Sequence, residues 1–228
     1  MILGAQSSIG KSVIEKLIPL NARITGTSRS KTPSHISSET LSWQYLDLGD
    51  FDSSSNFISL AKNQKFHIIL NLIGKLSNLD RNANPKDLSL YFETYISNQT
   101  ILIRELLETR HGHPKLFINF SSRAVTYGSY DLYYSAAKSA IHGLTRSLAK
   151  LHKDCEFINL IPGLIKSSSM YLSMPEEVQK DHEHRASGQL IDLDDIGEFV
   201  VNLIRQKTSE TITNPGTCVD IFVGPQYE

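Results

Sequence analysis

A tyrosine and a lysine four positions apart, Tyr134 and Lys138, are the residues whose spacing most directly indicates chemistry. They lie in residues 133–152, where apolar residues recur at helical spacing, so both side chains are expected on one face of a helix. A tyrosine with an ordinary pKa of about 10 exchanges protons poorly at neutral pH, but a lysine cation beside it stabilises the phenolate. Lowering that pKa by about 3 units requires roughly 4 kcal/mol. The pair predicts a proton-transferring tyrosine, although a helix can carry such a pair simply on its surface.

Two adjacent serines, Ser121 and Ser122, follow a predicted buried strand at residues 115–120, and Ser122 precedes Tyr134 by twelve positions. A hydroxyl at the carboxyl end of a central parallel strand faces the crevice where such sheets bind ligands. We expect one of these hydroxyls to hold a substrate carbonyl beside Tyr134. The alternative is that it only satisfies the backbone of the next turn.

The chain begins with a short apolar strand that runs through a glycine-containing turn into a helix, in the order Gly4-Ala5-Gln6-Ser7-Ser8-Ile9-Gly10. Such a turn directs backbone N–H groups towards a site where a pyrophosphate binds. Gly4 permits the sharp turn and Gly10 the close packing of helix on sheet. Taken alone, the pattern fits an ordinary strand–turn–helix connection equally well.

The end of the second predicted strand, about 20 residues after the glycine turn, is where a bound adenosine ribose is expected. Sites specific for NAD place an Asp or Glu there, whereas this chain has Ser28 and Arg29. An arginine offers a planar donor fork that suits a 2′-phosphate. The sequence therefore favours NADP(H) over NAD(H), and the alternative is a solvated surface arginine.

Short apolar runs alternate with amphipathic segments, which is typical of βαβ units around a parallel sheet. The expected fold class is α/β, a doubly wound (Rossmann-type) parallel sheet of about seven strands with helices on both faces, in one domain over residues 1–228. Strands are predicted at residues 1–3, 22–27, 42–46, 67–73, 115–120, 155–161 and 217–223. Helices are predicted at residues 11–20, 89–108, 133–152 and 193–205, and loops at residues 30–38 and 166–189.

The composition excludes several classes of protein. A net charge of −1 gives no general attraction for nucleic acid or anionic lipid, and no apolar run is long enough to span a bilayer. Cys155 and Cys218 fit no metal or redox spacing, so a cytoplasmic protein is expected. His182, His184 and Arg185 are interpreted as solvated helix surface, and no metal site is predicted.

In their order along the chain, these motifs resemble those of the short-chain dehydrogenase/reductase family. The matching segments are Leu3-Gly4-Ala5-Gln6-Ser7-Ser8-Ile9-Gly10, Asp47-Leu48-Gly49-Asp50, Asn71-Leu72-Ile73-Gly74, Asn98, Asn119-Phe120-Ser121-Ser122, Tyr134 with Lys138, Pro162-Gly163-Leu164-Ile165-Lys166-Ser167 and Asp220. The departures from the family pattern are Leu3, Ser8, Leu72, Ile73, Ser167 and Ile221-Phe222.

The resemblance implies the role of each site residue. Tyr134 is the general acid in reduction or the base in oxidation, and Lys138 lowers its pKa and binds the nicotinamide ribose. Ser122 positions the carbonyl, with Ser121 left open because the family's usual separation from the tyrosine is one residue longer. Asn98 holds a water in a proton relay. The cofactor-binding residues implied are Gly4, Gln6, Ser7, Ser8, Ile9, Gly10, Arg29, Asp47, Leu48, Asn71, Gly74, Tyr134, Lys138, Pro162, Gly163, Ile165 and Ser167.

The resemblance therefore implies an oxidoreductase that transfers a hydride between nicotinamide and a carbonyl or alcohol substrate, with a substrate loop near residues 164–190. It also implies a homodimer or homotetramer that pairs the helices at 89–108 and 133–152. A second hypothesis is a dinucleotide-binding regulator or scaffold of the same fold with little turnover, which the altered glycine and Asn71–Gly74 motifs favour. The shortness of the first strand leaves open a natural start upstream of Met1.

Overall fold

Seven parallel strands form one sheet in the computed structural model, which describes residues 1–30, 36–80, 82–109, 112–209 and 215–224. The strand order is β3-β2-β1-β4-β5-β6-β7, and every pairing is parallel. The predicted fold class is confirmed. The strands are β1 Ile2–Leu3, β2 Ile24–Ser28, β3 Leu41–Tyr45, β4 Ile68–Asn71, β5 Leu116–Phe120, β6 Glu156–Pro162 and β7 Cys218–Val223.

The order of strands reverses between β1 and β4, which are hydrogen-bonded neighbours with Leu3 opposite Asn71. The connections after these two strands leave the sheet in opposite directions, so a crevice opens at their carboxyl ends. Gly4 and the chain after Asn71 meet at this crevice. The predicted nucleotide end and the predicted chemical end thus share one edge of the sheet.

Helices cover both faces of the sheet because alternate residues of the central strands face opposite sides. On one face, Ile118 and Ile158 pack against helices α1 and α9, and on the other Phe117 and Phe157 pack against α2, α4 and α6. The helices are α1 Ser8–Leu17, α2 Phe51–Ala61, α3 Pro85–Phe92, α4 Gln99–Leu107, α5 Ala124–Tyr127, α6 Leu132–Leu151, α7 Ser169–Leu172, α8 Glu176–Arg185 and α9 Leu193–Ser209, with a 3₁₀ turn at Ile18–Leu20 and a π-helical segment at Glu93–Asn98.

The structure differs from the sequence prediction mainly in its helices, and α5 is among those that were not predicted. The helix predicted at 89–108 begins earlier and is interrupted by the π-helical segment between α3 and α4. Helix α2 was not predicted, because only Ser53, Phe57 and Ala61 of its residues are buried. The stretch 166–189 is not a plain loop but contains α7 and α8, and α8 buries none of its residues, so it has no apolar periodicity to detect.

A row of buried amides crosses the centre of the sheet. Asn71, Asn119, Asn159 and Asp220 lie opposite one another on β4, β5, β6 and β7. Each asparagine donates to the next residue, over 3.0 Å from Asn71 to Asn119, 2.9 Å from Asn119 to Asn159 and 3.2 Å from Asn159 to Asp220. Because buried polar groups are costly unless paired, this row fixes the strand register next to the crevice.

Candidate active site

Tyr134 lies in the first turn of α6, at the carboxyl edge of the sheet. The cap of that helix is Asp131, whose carboxylate accepts from the Tyr134 N–H at 3.0 Å and from the backbone and hydroxyl of Ser77 at 2.6 and 2.7 Å. The Tyr134 side chain is buried, and its phenol receives a hydrogen bond from the Ser122 hydroxyl. The helix start is thereby fastened to the β4 side of the crevice.

The two serines of β5's carboxyl end point to different surroundings. Ser122 and Tyr134 both line a cavity of about 280 Å³. Ser121 is 3% exposed and its hydroxyl lies 2.9 Å from His142 Nδ1, on the side of α6. Of the two candidates left open by the sequence, Ser122 is the one that the structure brings to Tyr134.

Lys138 lies one helical turn after Tyr134, as the spacing predicts, and its amine is held by the ends of two strands. Nζ donates to the carbonyl of Ile73 at 3.1 Å and to that of Phe120 at 2.8 Å. The amine also fills the space over Gly74, where a β-carbon would lie 2.6 Å from Nζ. Position 74 therefore requires glycine, because any larger residue would displace the lysine.

The electrostatics differ from the sequence prediction. Burial raises the pKa of Tyr134 to about 12, and the hydrogen bond from Ser122 only partly offsets this. Burial also lowers the pKa of Lys138 to about 8. Desolvation of the phenolate outweighs the predicted lowering of the tyrosine pKa by Lys138, whose amine is directed to two carbonyls. Tyr134 is therefore protonated at neutral pH and fit to donate.

Asn98 is not brought to this group by its side chain. It ends the π-helical segment, and its amide donates to the Leu48 carbonyl at 2.8 Å, after β3. The small gap beside Tyr134 and Lys138 is lined from this helix by Tyr91, Tyr95 and Gln99. The π-helical turn shifts the face that each residue presents, which a purely α-helical spacing does not anticipate.

The glycine turn has the geometry expected of a phosphate-binding loop. Gly4 adopts φ +72°, and its N–H donates to the Thr27 hydroxyl at 2.9 Å. A β-carbon on Gly10 would lie 2.4 Å from the Ala5 carbonyl oxygen, so only glycine lets the helix approach the turn. Ser7 caps α1 by accepting from Gly10 N at 3.1 Å. The first N–H groups of the helix, at Ser8 and Ile9, have no carbonyl partner within it and are suited to a pyrophosphate.

Side chains of this turn also hydrogen-bond to the neighbouring segments of the chain. Gln6 accepts a hydrogen bond from Ser28 at the end of β2. The Ser8 hydroxyl, which stands where the family pattern has glycine, accepts from Ser169 N at 3.1 Å at the start of α7. The departure at Ser8 therefore ties the turn to the segment after β6.

The adenosine end lies beyond β2 and β3. Arg29 is exposed and makes no ion pair within the described ranges. The charges of Arg29 and Asp47 act on Tyr95 in opposite directions, since Arg29 lowers its pKa and Asp47 raises it. Asp47 accepts from Gly49 N at 3.0 Å, and Leu48 is buried. Arg29 and Asp47 thus flank the same end of the crevice, where the sequence predicts the ribose and adenine.

The segment after β6 closes the other end. Pro162 and Gly163 line the cavity, and Gly163 N donates to Val223 at 2.8 Å. Ile165 is buried in a parallel bridge with Ile191, and Ser167 has a left-handed φ of +62°. These contacts hold the segment against β7, at the carboxyl edge of β6.

The cavity beside Tyr134 has lining residues that the sequence reasoning missed. Arg123, directly after Ser122, is one of them, and its adjacency to the serine pair was the available signal. His182 and Arg185 on α8 also line it: His182 is half-buried rather than fully solvated, whereas Arg185 is exposed, as a surface residue is expected to be. The remaining lining residues are Leu76, Ala124, Tyr127, Gly128, Ser129, Tyr130, Leu164 and Met174.

Within the described ranges, no helix combines the length and apolar character that crossing a bilayer requires. Over the same residues, no cluster of His, Cys, Asp and Glu side chains is arranged to bind a metal ion.

Comparisons with known proteins identify the family of this chain and its fold. The family model for short chain dehydrogenase matches residues 1–178. No curated protein matches. Among solved structures, a short chain dehydrogenase family protein from Francisella tularensis subsp. tularensis SCHU S4 has a TM-score of 0.77 at 19% identity, covering 97% of this chain and 95% of that chain.

Two further structures share the fold at similar identity. A putative betaketoacyl-ACP reductase has a TM-score of 0.75 at 19% identity, covering 97% of this chain and 95% of its own. A 3-ketoacyl-(acyl-carrier-protein) reductase from Brucella melitensis, complexed with NADH, has a TM-score of 0.76 at 17% identity with the same two coverages of 97% and 95%. The family model covers more than three quarters of the chain, and this protein therefore belongs to the short-chain dehydrogenase family of oxidoreductases.

Proposed function

We propose that this protein is an NADP(H)-dependent oxidoreductase that transfers a hydride between nicotinamide and a carbonyl or alcohol carbon. The observation that supports it most directly is the meeting of Tyr134 and Ser122 in one cavity, with Lys138 one helical turn behind. This combination supports the roles of proton donor for Tyr134, carbonyl-holding hydroxyl for Ser122 and cation for Lys138.

In the direction of reduction, Ser122 donates a hydrogen bond to the substrate carbonyl oxygen and orients it towards Tyr134. The phenol, protonated at neutral pH because burial raises its pKa to about 12, gives its proton to that oxygen as the alkoxide develops. The nicotinamide, when bound, supplies the hydride to the carbonyl carbon. Oxidation of an alcohol runs these steps backwards, with Tyr134 as the base.

Lys138 keeps the proton-transfer site charged and ordered. Its amine binds the nicotinamide ribose in this proposal, and its charge stabilises the phenolate that remains after Tyr134 has given up its proton. Because the Asn98 side chain donates to Leu48, any role of Asn98 in the relay falls to its backbone, while Gln99 and Tyr95 line the gap beside the lysine.

The residues around the crevice fit a dinucleotide along its length. The turn from Gly4 to Gly10, with Gln6, Ser7, Ser8 and Ile9, receives the pyrophosphate on helix N–H groups and a cradle that a side chain at residue 10 would fill. Asp47 and Leu48 contact the adenine, and Asn71 with Gly74 forms the wall between the two halves. Pro162, Gly163, Ile165 and Ser167 lie at the carboxamide end, where Ile165 offers backbone groups.

The preference for NADP(H) rests on Arg29. Its guanidinium is exposed and outside any ion pair of the described residues, at the strand end where the ribose 2′-position is expected. A 2′-phosphate forms charged hydrogen bonds with such a fork, and a 2′-hydroxyl would lack the carboxylate that NAD sites supply.

A coupled assay tests this function and separates it from the regulator hypothesis. Purified protein is mixed with NADPH and a panel of ketones and aldehydes, and NADPH consumption is followed beside a direct measurement of NADPH binding. We expect binding together with turnover of some carbonyl compounds. Tight binding with no turnover across the panel would favour a regulator or scaffold.

Assembly and location are proposals of the same kind. Exposed apolar residues on the long helices, such as Ile101 on α4 and Leu132 and Leu151 on α6, support a homodimer or homotetramer. Both cysteines are free, in keeping with a reducing cytoplasm. We propose that residues 1–228 act as one domain with a substrate loop at 164–190, which contains α7 and α8.

A further inference from the structure

The positive charge on the cavity beside Tyr134 comes from two arginines, because burial lowers the pKa of the third basic residue of its wall, His182, and keeps it neutral at neutral pH. Arg123 lies on its β5 side, and His182 and Arg185 reach it from α8. Among the described residues that form its wall, none is an aspartate or a glutamate. A cavity with cations and no carboxylates attracts an anionic ligand and disfavours a cationic one.

The carboxylates nearest to this wall are engaged elsewhere. Asp131 accepts from Ser77 and from the Tyr134 N–H, with its side chain turned to the helix cap. Glu183 accepts from the Tyr171 hydroxyl, away from the cavity. Neither lines the cavity.

Asp181 is the partner of Arg185, at 2.6 Å within one turn of α8. Both side chains are about half exposed, 47% for Arg185 and 58% for Asp181, and such a surface pair contributes little free energy. A substrate anion therefore competes with Asp181 for this guanidinium at small cost.

Arg123 is a fixed cation next to the residue that holds the carbonyl. It is 4% exposed, its Nη2 donates to the Gly224 carbonyl at 3.0 Å, and its Cζ lies 5.6 Å from the centre of the Phe222 ring. A guanidinium keeps its charge at any relevant pH. Arg123 and Ser122 line the same cavity, so this charge acts on the space in which the substrate carbonyl is proposed to be held.

We infer that the substrate is a carbonyl compound, or the corresponding alcohol, that carries a carboxylate or a phosphate, with Arg123 and Arg185 as specificity-determining residues. The inference rests on the proposed function and names its substrate class. Carboxylate and phosphate both accept hydrogen bonds from a planar guanidinium fork. A lost charged hydrogen bond corresponds to roughly a tenfold to hundredfold change in affinity.

The test compares each anion with a neutral partner of the same carbon skeleton. Oxo acids with the ketone at positions 2 to 5 are assayed against their methyl esters, and dihydroxyacetone phosphate against dihydroxyacetone, with saturating NADPH. We expect at least one anion to exceed its neutral partner by roughly tenfold or more in kcat/KM, mainly through KM. The acid and phosphate arms then distinguish the two kinds of anion.

Three variants locate the preference. Arg185→Gln is expected to raise KM for the preferred anion roughly tenfold and to leave the neutral partner within about twofold. Arg123→Lys keeps a charge and is expected to retain part of the preference that Arg123→Met removes. Lys180→Gln is the matched control, because Lys180 is an exposed cation of the same helix, paired with Glu176 and outside the cavity wall.

Three results would overturn the inference. If every neutral compound is turned over as fast as its anionic partner, the inference is wrong and the proposed function still stands. The inference is also wrong if Arg185→Gln and Arg123→Lys lower kcat/KM equally for the anion and its neutral partner. The arginines would then act on the fold and not on the substrate charge. No turnover of any compound would remove the proposed function and this inference together.

Discussion

The amine of Lys138 lies in the space that a side chain at residue 74 would need: a β-carbon built on Gly74 comes 2.6 Å from both Nζ and Cε. The glycine of β4's terminal turn and the lysine of α6 are thus parts of one packing arrangement. The contact couples the turn after β4 to helix α6 and the end of β5, since the same amine donates to Ile73 and Phe120.

Gly74→Ala tests this contact. The added methyl group must push the flexible end of Lys138 away from its two carbonyls, and we expect kcat to fall more than about tenfold while stability changes by roughly 1 kcal/mol. Gly143→Ala is the control, because a β-carbon there has no neighbour within 4 Å and the residue is in the same helix as Lys138. Steady-state kinetics and urea unfolding measure both. Equal kinetics for the two variants would show that the position of the lysine is not critical.

The two serines give a second matched pair. Ser122→Ala removes the hydroxyl that meets Tyr134, and we expect kcat to fall roughly a hundredfold. Ser121→Ala removes a buried contact with His142, so its main cost is expected in unfolding free energy, about 1 kcal/mol, with kcat within about fivefold. A larger kinetic loss for Ser121→Ala than for Ser122→Ala would reverse the assignment.

Lys138 also predicts a pH dependence of stability. Burial lowers its pKa from 10.5 to about 8, so between these values the unfolded chain binds more protons than the folded one, and the unfolding free energy of the wild type rises with pH. Lys138→Met lacks this rise. The stability of the variant relative to wild type should therefore fall by up to about 3 kcal/mol from pH 7 to pH 10.

Denaturant unfolding at several pH values measures this difference, with Lys150→Met as the control because Lys150 is exposed on the same helix. A difference between wild type and Lys138→Met that stays constant with pH would mean that the lysine is not desolvated as described.

Arg29→Ala tests the cofactor preference. Loss of a charged hydrogen bond to a 2′-phosphate should weaken NADPH by about 1–3 kcal/mol and leave NADH nearly unchanged. Titration calorimetry with both cofactors measures it. Wild-type protein that binds NADH as tightly as NADPH would contradict the role given to Arg29.

Sequence reasoning predicted the architecture because each central strand carries an apolar run buried on both faces and each main helix an apolar stripe. For β2 to β7, the predicted first and last residues of each strand lie within about two residues of the observed ones. The pairing of Tyr134 with Lys138 followed from helical spacing alone, since α6 is regular from Leu132 to Leu151.

The parts that escaped prediction have particular physical causes. The π-helical segment at Glu93–Asn98 has hydrogen bonds that span one more residue than those of an α-helix, and the Asn98 side chain there contacts Leu48. The sequence pattern does not predict such a segment. Helix α8 carries a single apolar residue, Val178, too few for a helical pattern, so its position over the cavity depends on tertiary contacts such as that of Tyr171 with Glu183. The choice between Ser121 and Ser122 depends on which of the two side chains points into the cavity after β5, and only the three-dimensional structure specifies that.

The most direct test of the account is single-turnover reduction by Tyr134→Phe with NADPH bound. The variant keeps the ring and loses only the proton donor, so we predict that it binds NADPH like wild type and reduces the best carbonyl compound at least a thousandfold more slowly, by order of magnitude. Reduction at a rate near that of wild type would contradict the claim that this phenol transfers the proton.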